Sequence, residues 1–141
     1  MLEYQPACDI IIGAAAVGDF RIANVAEQKI KKGEDKSQKI TLELVENPDI
    51  LKELGKKKSD NLIMVGFAAE TENVLQNARK KLAAKNLDLI VANDVTMEGA
   101  GFGTDTNIVT LINRAGETTS FSIMSKEEVA AIIIDSVTEL I

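Results

Sequence analysis

The sequence contains no histidine, and Cys8 is its one cysteine. These absences exclude zinc sites of histidine and cysteine ligands, and they exclude an internal disulfide. They also exclude catalysis by Ser-His-Asp or Cys-His arrangements. Cys8 precedes an apolar run and is interpreted as a small hydrophobic side chain.

Prolines and long apolar runs are scarce as well. With 2 prolines, 45% hydrophobic residues and 27% charged residues, the composition excludes disorder and collagen-like repeats. No apolar run reaches the roughly 20 residues of a membrane-spanning helix, and residues 1–4 lack the basic start of a signal peptide. A net charge of -6 argues against a nucleic-acid partner. We expect one cytoplasmic domain over residues 1–141, without membrane contact.

What the sequence does contain is an alternation of predicted strands and helices. Apolar runs and period-two alternation predict strands at 9–16, 40–45, 62–67, 87–92, 107–113 and 118–123, the first buried on both faces and the last two joined by a turn at 115–117. Three helices are predicted. The first starts with Asn47 as N-cap, the second spans 71–85, and the third follows a capping box of Ser125 and Glu128. This order predicts an α/β fold: a Rossmann-like, mostly parallel sheet with helices on both faces. The default ligand site is then formed by the loops 17–32, 68–71 and 93–106.

No Gly-x-Gly-x-x-Gly or Walker A lysine motif follows a predicted strand, so the usual phosphate-binding loops are absent. The chain carries instead five ordered motifs: 14–21 with Asn24 and 29–32, then 47–51, 66–71, 87–95 and 101–107. Together they resemble the phosphopantothenoylcysteine synthetase domain, the C-terminal half of the bacterial bifunctional coenzyme A biosynthesis flavoprotein. The resemblance covers nearly the whole chain from Asp9 onward.

The resemblance implies a CTP-dependent phosphopantothenate–cysteine ligase. The carboxylate of phosphopantothenate attacks the α-phosphate of CTP, giving an acyl-cytidylate and pyrophosphate; the amine of cysteine then displaces CMP. Because the first reactants are both anions, catalysis is mainly charge neutralisation and positioning. Mg²⁺ held mainly by phosphates fits this chemistry and needs no protein ligand. No flavin is expected, because the decarboxylase half is absent.

For CTP, the resemblance implies that Lys81 meets the phosphates, with Lys80 as an alternative one residue away. Without the resemblance, a lysine at this place more often lays its stem over core atoms. The other implied contacts are Gly66, Phe67 and Ala68 through the backbone, Glu72, Phe102 and Lys126. Their alternatives are ordinary ones: small residues that pack, a carboxylate favoured by the helix dipole, a phenylalanine that caps the core and a solvated lysine.

For the acyl group, the resemblance implies Asn24, whose amide can donate to the carbonyl and accept from the incoming amine. The alternative is an asparagine that stabilises a turn. Arg21 and the cluster Lys29, Lys31 and Lys32 are implied to bind the phosphate of phosphopantothenate, although such charge runs are more often solvated. The run 56–58 is assigned no role.

The family works as a homodimer, with the segment 29–39 and the nearby strand as the expected interface. The family domain opens with a strand and a glycine-threonine-rich turn, and nothing similar precedes Asp9. We therefore expect weak or no ligation by this chain alone. Two rival functions are a non-catalytic nucleotide-binding or dimerisation module and an oxidoreductase, against which the missing dinucleotide glycines count.

Overall fold

A computed structural model describes residues 1–31, 39–100 and 103–141. After a short 3₁₀ turn, Gln5–Ala7, the elements in chain order are β1 (Ile10–Gly13), β2 (Phe20–Ile22), β3 (Leu44–Glu46), α1 (Ile50–Lys56), β4 (Ile63–Glu70), α2 (Val74–Ala84), β5 (Leu89–Asp94), β6 (Thr106–Asn107), β7 (Val109–Asn113), β8 (Thr118–Ser120), β9 (Met124–Ser125) and α3 (Lys126–Thr138). They belong to two compact units, Met1–Ala14 with Ile50–Ile141, and Ala15–Asp49. Each unit is described by itself.

The larger unit is built on a five-stranded sheet with the spatial order β1-β4-β5-β7-β8. The first three strands are parallel, with Ile10 opposite Ile63 and Val65 opposite Leu89. β7 and β8 add an antiparallel hairpin at the other edge. The α/β class with parallel central strands is thus confirmed, and so is the predicted hairpin.

The side chains of the sheet alternate between two cores. Met64 and Ile90 pack on the side of α1 and α2, with Leu54 and Leu82 from these helices. Val65, Leu89 and Val91 point to the opposite side, where Val129, Ile133 and Val137 of α3 cover them. Because strand side chains alternate with period two, both faces of a central strand need a helix. The predicted helices on both faces are confirmed.

Burial of β1 on both faces was an incorrect prediction. Only Ile11 is buried there, whereas Ile10 and Ile12 are 39% and 36% exposed. β1 lies at the edge of the five-stranded sheet, and only its Ile11 face packs against the core of α1 and α2. A continuous apolar run indicates a strand but does not distinguish a central position from an edge position.

The smaller unit contains a two-stranded antiparallel ribbon, in which Phe20 pairs with Glu46. β2 lies in a stretch predicted as loop, and β3 begins at Leu44 rather than at residue 40. The prediction of Asn47 as N-cap is also wrong, since α1 begins at Ile50. The Asn47 side chain instead donates to the Gly18 carbonyl oxygen at 2.7 Å and so closes the ribbon.

The capping box at the start of α3 is confirmed. Ser125 Oγ accepts from the Glu128 backbone N–H at 3.1 Å, and Glu128 Oε2 accepts from the Ser125 N–H at 2.7 Å. The hydrogen bond from the Ser125 backbone N–H to the carboxylate, and then the Ser125 side chain, hold the pKa of Glu128 below its ordinary value. The Lys126 N–H donates to the Asp105 carbonyl oxygen at 3.0 Å, which ties the end of the preceding loop to the helix.

Candidate functional site

β4 and β5 end side by side at the carboxyl edge of the parallel strands, where Glu70 is the register partner of Asp94. Ala68 and Ala92, two residues earlier, pack in the core on the α2 side. Because side chains alternate along a strand, Glu70 and Asp94 point to that side too. Two carboxylates therefore lie next to α2 at the edge where parallel sheets bind ligands.

Lys81 reaches this edge from α2. Its Cα lies about 10 Å along the helix from the first residue, Val74. Helical side chains lean toward the helix N-terminus, so a long lysine extends back toward the edge. Its Nζ lies 2.6 Å from Glu70 Oε1, and the side chains of the two residues are 42% and 14% exposed. The site thus holds a cation at the rim above a largely buried acid.

The same helix face carries Asn77, one turn before Lys81. Its Nδ2 lies 3.3 Å from Glu70 Oε2 and 3.1 Å from the Glu72 carbonyl oxygen. Lys80 is exposed and lies one position around the helix from this face. The spacing of four residues brings Asn77 and Lys81 to one carboxylate, whereas Lys80 lies one position away from that helix face.

Asp94 is held by the loop that follows it. Thr96 donates to Asp94 Oδ1 from its Oγ1 at 2.5 Å and from its backbone N–H at 3.0 Å. The Thr96 hydroxyl, and then the Thr96 N–H, lower the pKa of Asp94. Asp94 is therefore an ionised side chain with a fixed orientation.

On the other side of β5, the loop returns through Gly99. The Asn93 side-chain amide donates to the Ala100 carbonyl oxygen at 2.9 Å. Gly99 has a φ of +82°, and a Cβ there would lie 2.4 Å from Ile123 Cδ1. The conformation favours glycine, whereas the Ile123 methyl group is the end of an exposed side chain that can shift. Phe102, predicted to face the base, lies outside the described residues.

Gly66, Phe67 and Ala68 all lie inside β4, which continues to Glu70 beyond the predicted strand end at 67. Gly66 is buried, and a Cβ there would lie 2.6 Å from a methyl group of Leu87. Ala68 is 1% exposed. Glycine at 66 thus leaves room for Leu87 and for Leu51 of α1, and the strand continues to Ala69, which is exposed, and to Glu70.

The remaining nucleotide candidates are exposed. Glu72 lies before α2, and Lys126 is the first residue of α3. Neither contacts the Glu70–Lys81 pair. Across residues 1–31, 39–100 and 103–141, no group of three or more acidic, cysteine or histidine side chains is placed to hold a metal ion. No helix in these ranges is long and apolar enough to cross a membrane.

The acyl-group candidates lie in the smaller unit. Asn24 is exposed just after β2, and Lys29 and Lys31 are exposed further along. Arg21 donates to the Glu46 carbonyl oxygen at 2.7 Å and to Asn47 Oδ1 at 3.2 Å. Arg21 therefore stabilises the ribbon. Lys32 lies outside the described residues.

Sequence reasoning missed Glu70, Asn77 and Asp94 as members of the site. Two signals were present in the sequence. Asn77 and Lys81 have the i, i+4 spacing that gives two side chains one partner. Glu70 and Asp94 each end an apolar run, which is where parallel strands deliver polar side chains to a ligand edge.

Comparison with known proteins identifies the family. All residues, 1–141, match the family described as DNA/pantothenate metabolism flavoprotein C-terminal domain. The chain is 51% identical over 140 residues to the coenzyme A biosynthesis bifunctional protein CoaBC of Bacillus subtilis, covering 99% of the chain and 34% of that protein. The corresponding Escherichia coli K12 protein is 41% identical over 129 residues, covering 92% of the chain and 32% of that protein.

A solved structure agrees with these matches. The crystal structure of the C-terminal domain of a CoaBC protein superposes with a TM-score of 0.75 at 34% identity, covering 99% of the chain and 58% of the solved one. The chain spans about a third of the length of the curated relatives it matches. It belongs to the family of DNA/pantothenate metabolism flavoprotein C-terminal domains, and the Bacillus subtilis and Escherichia coli relatives are coenzyme A biosynthesis bifunctional proteins.

Proposed function

We propose that this chain provides the CTP-binding core of a phosphopantothenate–cysteine ligase. The observation that carries the proposal is the Lys81 ammonium at the carboxyl edge, 2.6 Å from Glu70 and open to solvent. A rim cation at this edge suits a triphosphate, because parallel sheets bind their ligands there. The Bacillus subtilis and Escherichia coli relatives, which are named for coenzyme A biosynthesis, support the proposed substrate class.

In the proposed first step, a carboxylate oxygen of phosphopantothenate bonds to the α-phosphorus of CTP. The bond from that phosphorus to the bridging oxygen breaks, and pyrophosphate leaves. Attack of an anion on a tetraanionic triphosphate is opposed by charge repulsion. Lys81 offsets part of that charge where it develops, which is the electrostatic contribution expected in phosphoryl transfer.

In the proposed second step, the cysteine amine bonds to the acyl carbon of the cytidylate. The carbon–oxygen bond to phosphate breaks, CMP leaves and the amine loses a proton. Asn24 of the smaller unit can donate from its amide to the carbonyl oxygen and accept from the amine. Lys29, Lys31 and Lys32 are proposed for the phosphate of phosphopantothenate. Arg21 positions the ribbon that carries Asn24, in line with its bonds to Glu46 and Asn47.

For the nucleoside, the proposed contacts move to the exposed strand end. Backbone groups of Ala69 and Glu70 replace the buried Gly66 as the readers of the cytosine edge. Glu72 for the ribose, and Phe102 and Lys126 for the outer wall, remain proposals. Mg²⁺ is proposed to travel with the triphosphate, held mainly by phosphate oxygens.

A homodimer in the cytoplasm is also proposed, with the β2–β3 ribbon as its interface. Phe20, Ile22 and Leu44 are 57%, 41% and 55% exposed. Ile22 is the register partner of Leu44, so they share one face of the ribbon, and alternation puts Phe20 on that face as well. An exposed apolar stripe of this kind is typical of a protein interface. Sedimentation velocity should show a dimer for the unaltered chain and a monomer for Phe20→Glu.

Calorimetry with CTP, UTP, ATP and NAD tests the nucleotide proposal. We expect CTP to bind best, because UTP exchanges a donor and an acceptor at buried partners, a loss of about 1–3 kcal/mol. Preference for NAD would favour an oxidoreductase. CTP binding without cysteine-dependent CMP release, also in the full-length protein, would favour a non-catalytic nucleotide-binding module.

A further inference from the structure

The proposed function leaves the side chain of Glu70, at the carboxyl edge, without a role. Glu70 ends β4, and its side chain is 14% exposed. Its Oε1 lies 2.6 Å from Lys81 Nζ, and its Oε2 lies 3.3 Å from Asn77 Nδ2. The Glu70 carboxylate is therefore already paired with the lysine ammonium that the proposed function assigns to a phosphate group.

An anion that approaches Lys81 competes with the Glu70 carboxylate for the ammonium. The ammonium has three N–H donors, and the lysine side chain that carries it is 42% exposed. Its positive charge, however, is largely cancelled by a carboxylate at contact distance, so its attraction for a phosphate is reduced. Glu70 cannot turn away into water easily, because it lies under α2 and is bound by Asn77.

We infer that Glu70 is a positioning residue that holds the Lys81 ammonium at the rim and sets its affinity for phosphate, releasing it when a phosphate group binds. The inference rests on the proposed phosphate role of Lys81. Asn77 keeps the released carboxylate partnered, which limits the loss when the ion pair opens. It follows that removal of the Glu70 charge strengthens phosphate binding, whereas general damage to the site would weaken it.

The test is a double-mutant cycle of Glu70→Gln and Lys81→Gln, measured by calorimetry. The ligands are CTP and inorganic tripolyphosphate, which has no nucleoside. We expect Glu70→Gln to tighten binding of both about fivefold and Lys81→Gln to weaken it about tenfold, the ranges of a partly exposed and a charge-assisted contact. In the double variant the gain should vanish, because Glu70 acts through Lys81.

Glu53→Gln is the matched control, since Glu53 forms an ion pair of the same 2.6 Å length with Lys56 on the exposed side of α1. It should leave both affinities unchanged. A gain that persists in the double variant means that Glu70 repels phosphate directly, and this overturns the inference, as does equal or weaker binding by Glu70→Gln. If tripolyphosphate binding changes as expected across the double-mutant cycle but CTP binds no more tightly than tripolyphosphate, the inference stands and the cytidine proposal fails. No binding of either ligand overturns both.

Discussion

Lys58 and Asp88 form an ion pair at the amino edge of the sheet, with Lys58 Nζ 2.6 Å from Asp88 Oδ1 and the lysine side chain 6% exposed. Asp88 also accepts from the Met64 N–H at 2.7 Å and lies 3.5 Å from Arg114 Nη2. The sequence assigns no role to the lysine run 56–58, yet its last member joins α1 to the start of β5. The ion pair therefore links the end of α1, which precedes β4, to the start of β5, which follows α2.

Lys58→Met is expected to destabilise the fold by about 2 kcal/mol. The carboxylate of Asp88 stays largely buried and keeps only its backbone and arginine partners, which is less severe than a fully orphaned charge. Urea denaturation followed by circular dichroism measures the difference. Lys57→Met, at the exposed neighbouring position, should stay within about 0.5 kcal/mol. Equal midpoints for the two variants would contradict the structural role of Lys58.

Gly55→Ala is expected to destabilise the larger unit by about 3 kcal/mol or more, the upper range for overpacking. A Cβ on Gly55 would lie 2.0 Å from the Lys85 carbonyl oxygen, and backbone cannot move aside as a side chain can. Gly18→Ala is the control, because its Cβ would find its nearest atom at 3.6 Å. Thermal melts of both variants check the difference. Similar melting temperatures would mean that the close approach of the two helix ends is absent.

The capping box predicts a pH dependence with a definite sign. Hydrogen bonds from Ser125 keep the pKa of Glu128 below its ordinary 4.5 in the folded chain. Its stabilising contribution is therefore complete above the unfolded value and is lost as pH falls through the lowered folded value. Melts of the unaltered chain and of Glu128→Gln should converge between about pH 6 and pH 3. The Glu127→Gln variant, altered in the same turn but outside the capping box, should still lose folding stability as the pH falls through this range.

Lys81→Gln is expected to weaken CTP binding and slow pyrophosphate release by about 1.5–3 kcal/mol, as for the loss of one charge-assisted contact. Glutamine keeps most of the stem, so a purely packing role predicts little change. Lys80→Gln, one position around the helix, should give a clearly smaller loss. A larger effect at Lys80 would reverse the assignment of the two lysines.

Asn24→Asp separates the second step from the first. The substitution keeps the shape of the side chain, removes its amide donors and adds a charge that repels the cytidylate. CTP binding and pyrophosphate release should survive, while cysteine-dependent CMP release falls most. Rapid-quench measurement of both products in the full-length protein detects this split. Normal rates of both products would remove Asn24 from the mechanism.

Local patterns predicted the fold better than the site. The runs at 62–67 and 87–92, the hairpin and the box of Ser125 and Glu128 depend on neighbours in sequence, and all lie close to where they were expected. The end of β4 cannot be predicted from neighbouring residues, because pairing with β5 extends the strand through Ala69 and Glu70. That extension places Gly66 inside the core and Glu70 at the edge.

Long-range contacts explain the remaining differences. The partners of Lys58 and Glu70 come from other elements, 30 and 11 residues away. Charge runs and small-residue motifs carry no signal for such pairs. The exposure of Ile10 and Ile12 likewise depends on the strand order of the sheet, which hydrophobic periodicity does not fix.

The order of the strands also has a consequence for how the sheet assembles. β7 and β8 pair Thr110 with Ser120 across one short turn, whereas β1 pairs Ile10 with Ile63 across on the order of 50 residues. Closing the longer loop costs about 1.5 kcal/mol more in chain entropy, and the edge strand gains burial for Ile11 alone among its isoleucines. We therefore expect β1 to join the five-stranded sheet late in folding and to open early in native-state hydrogen exchange.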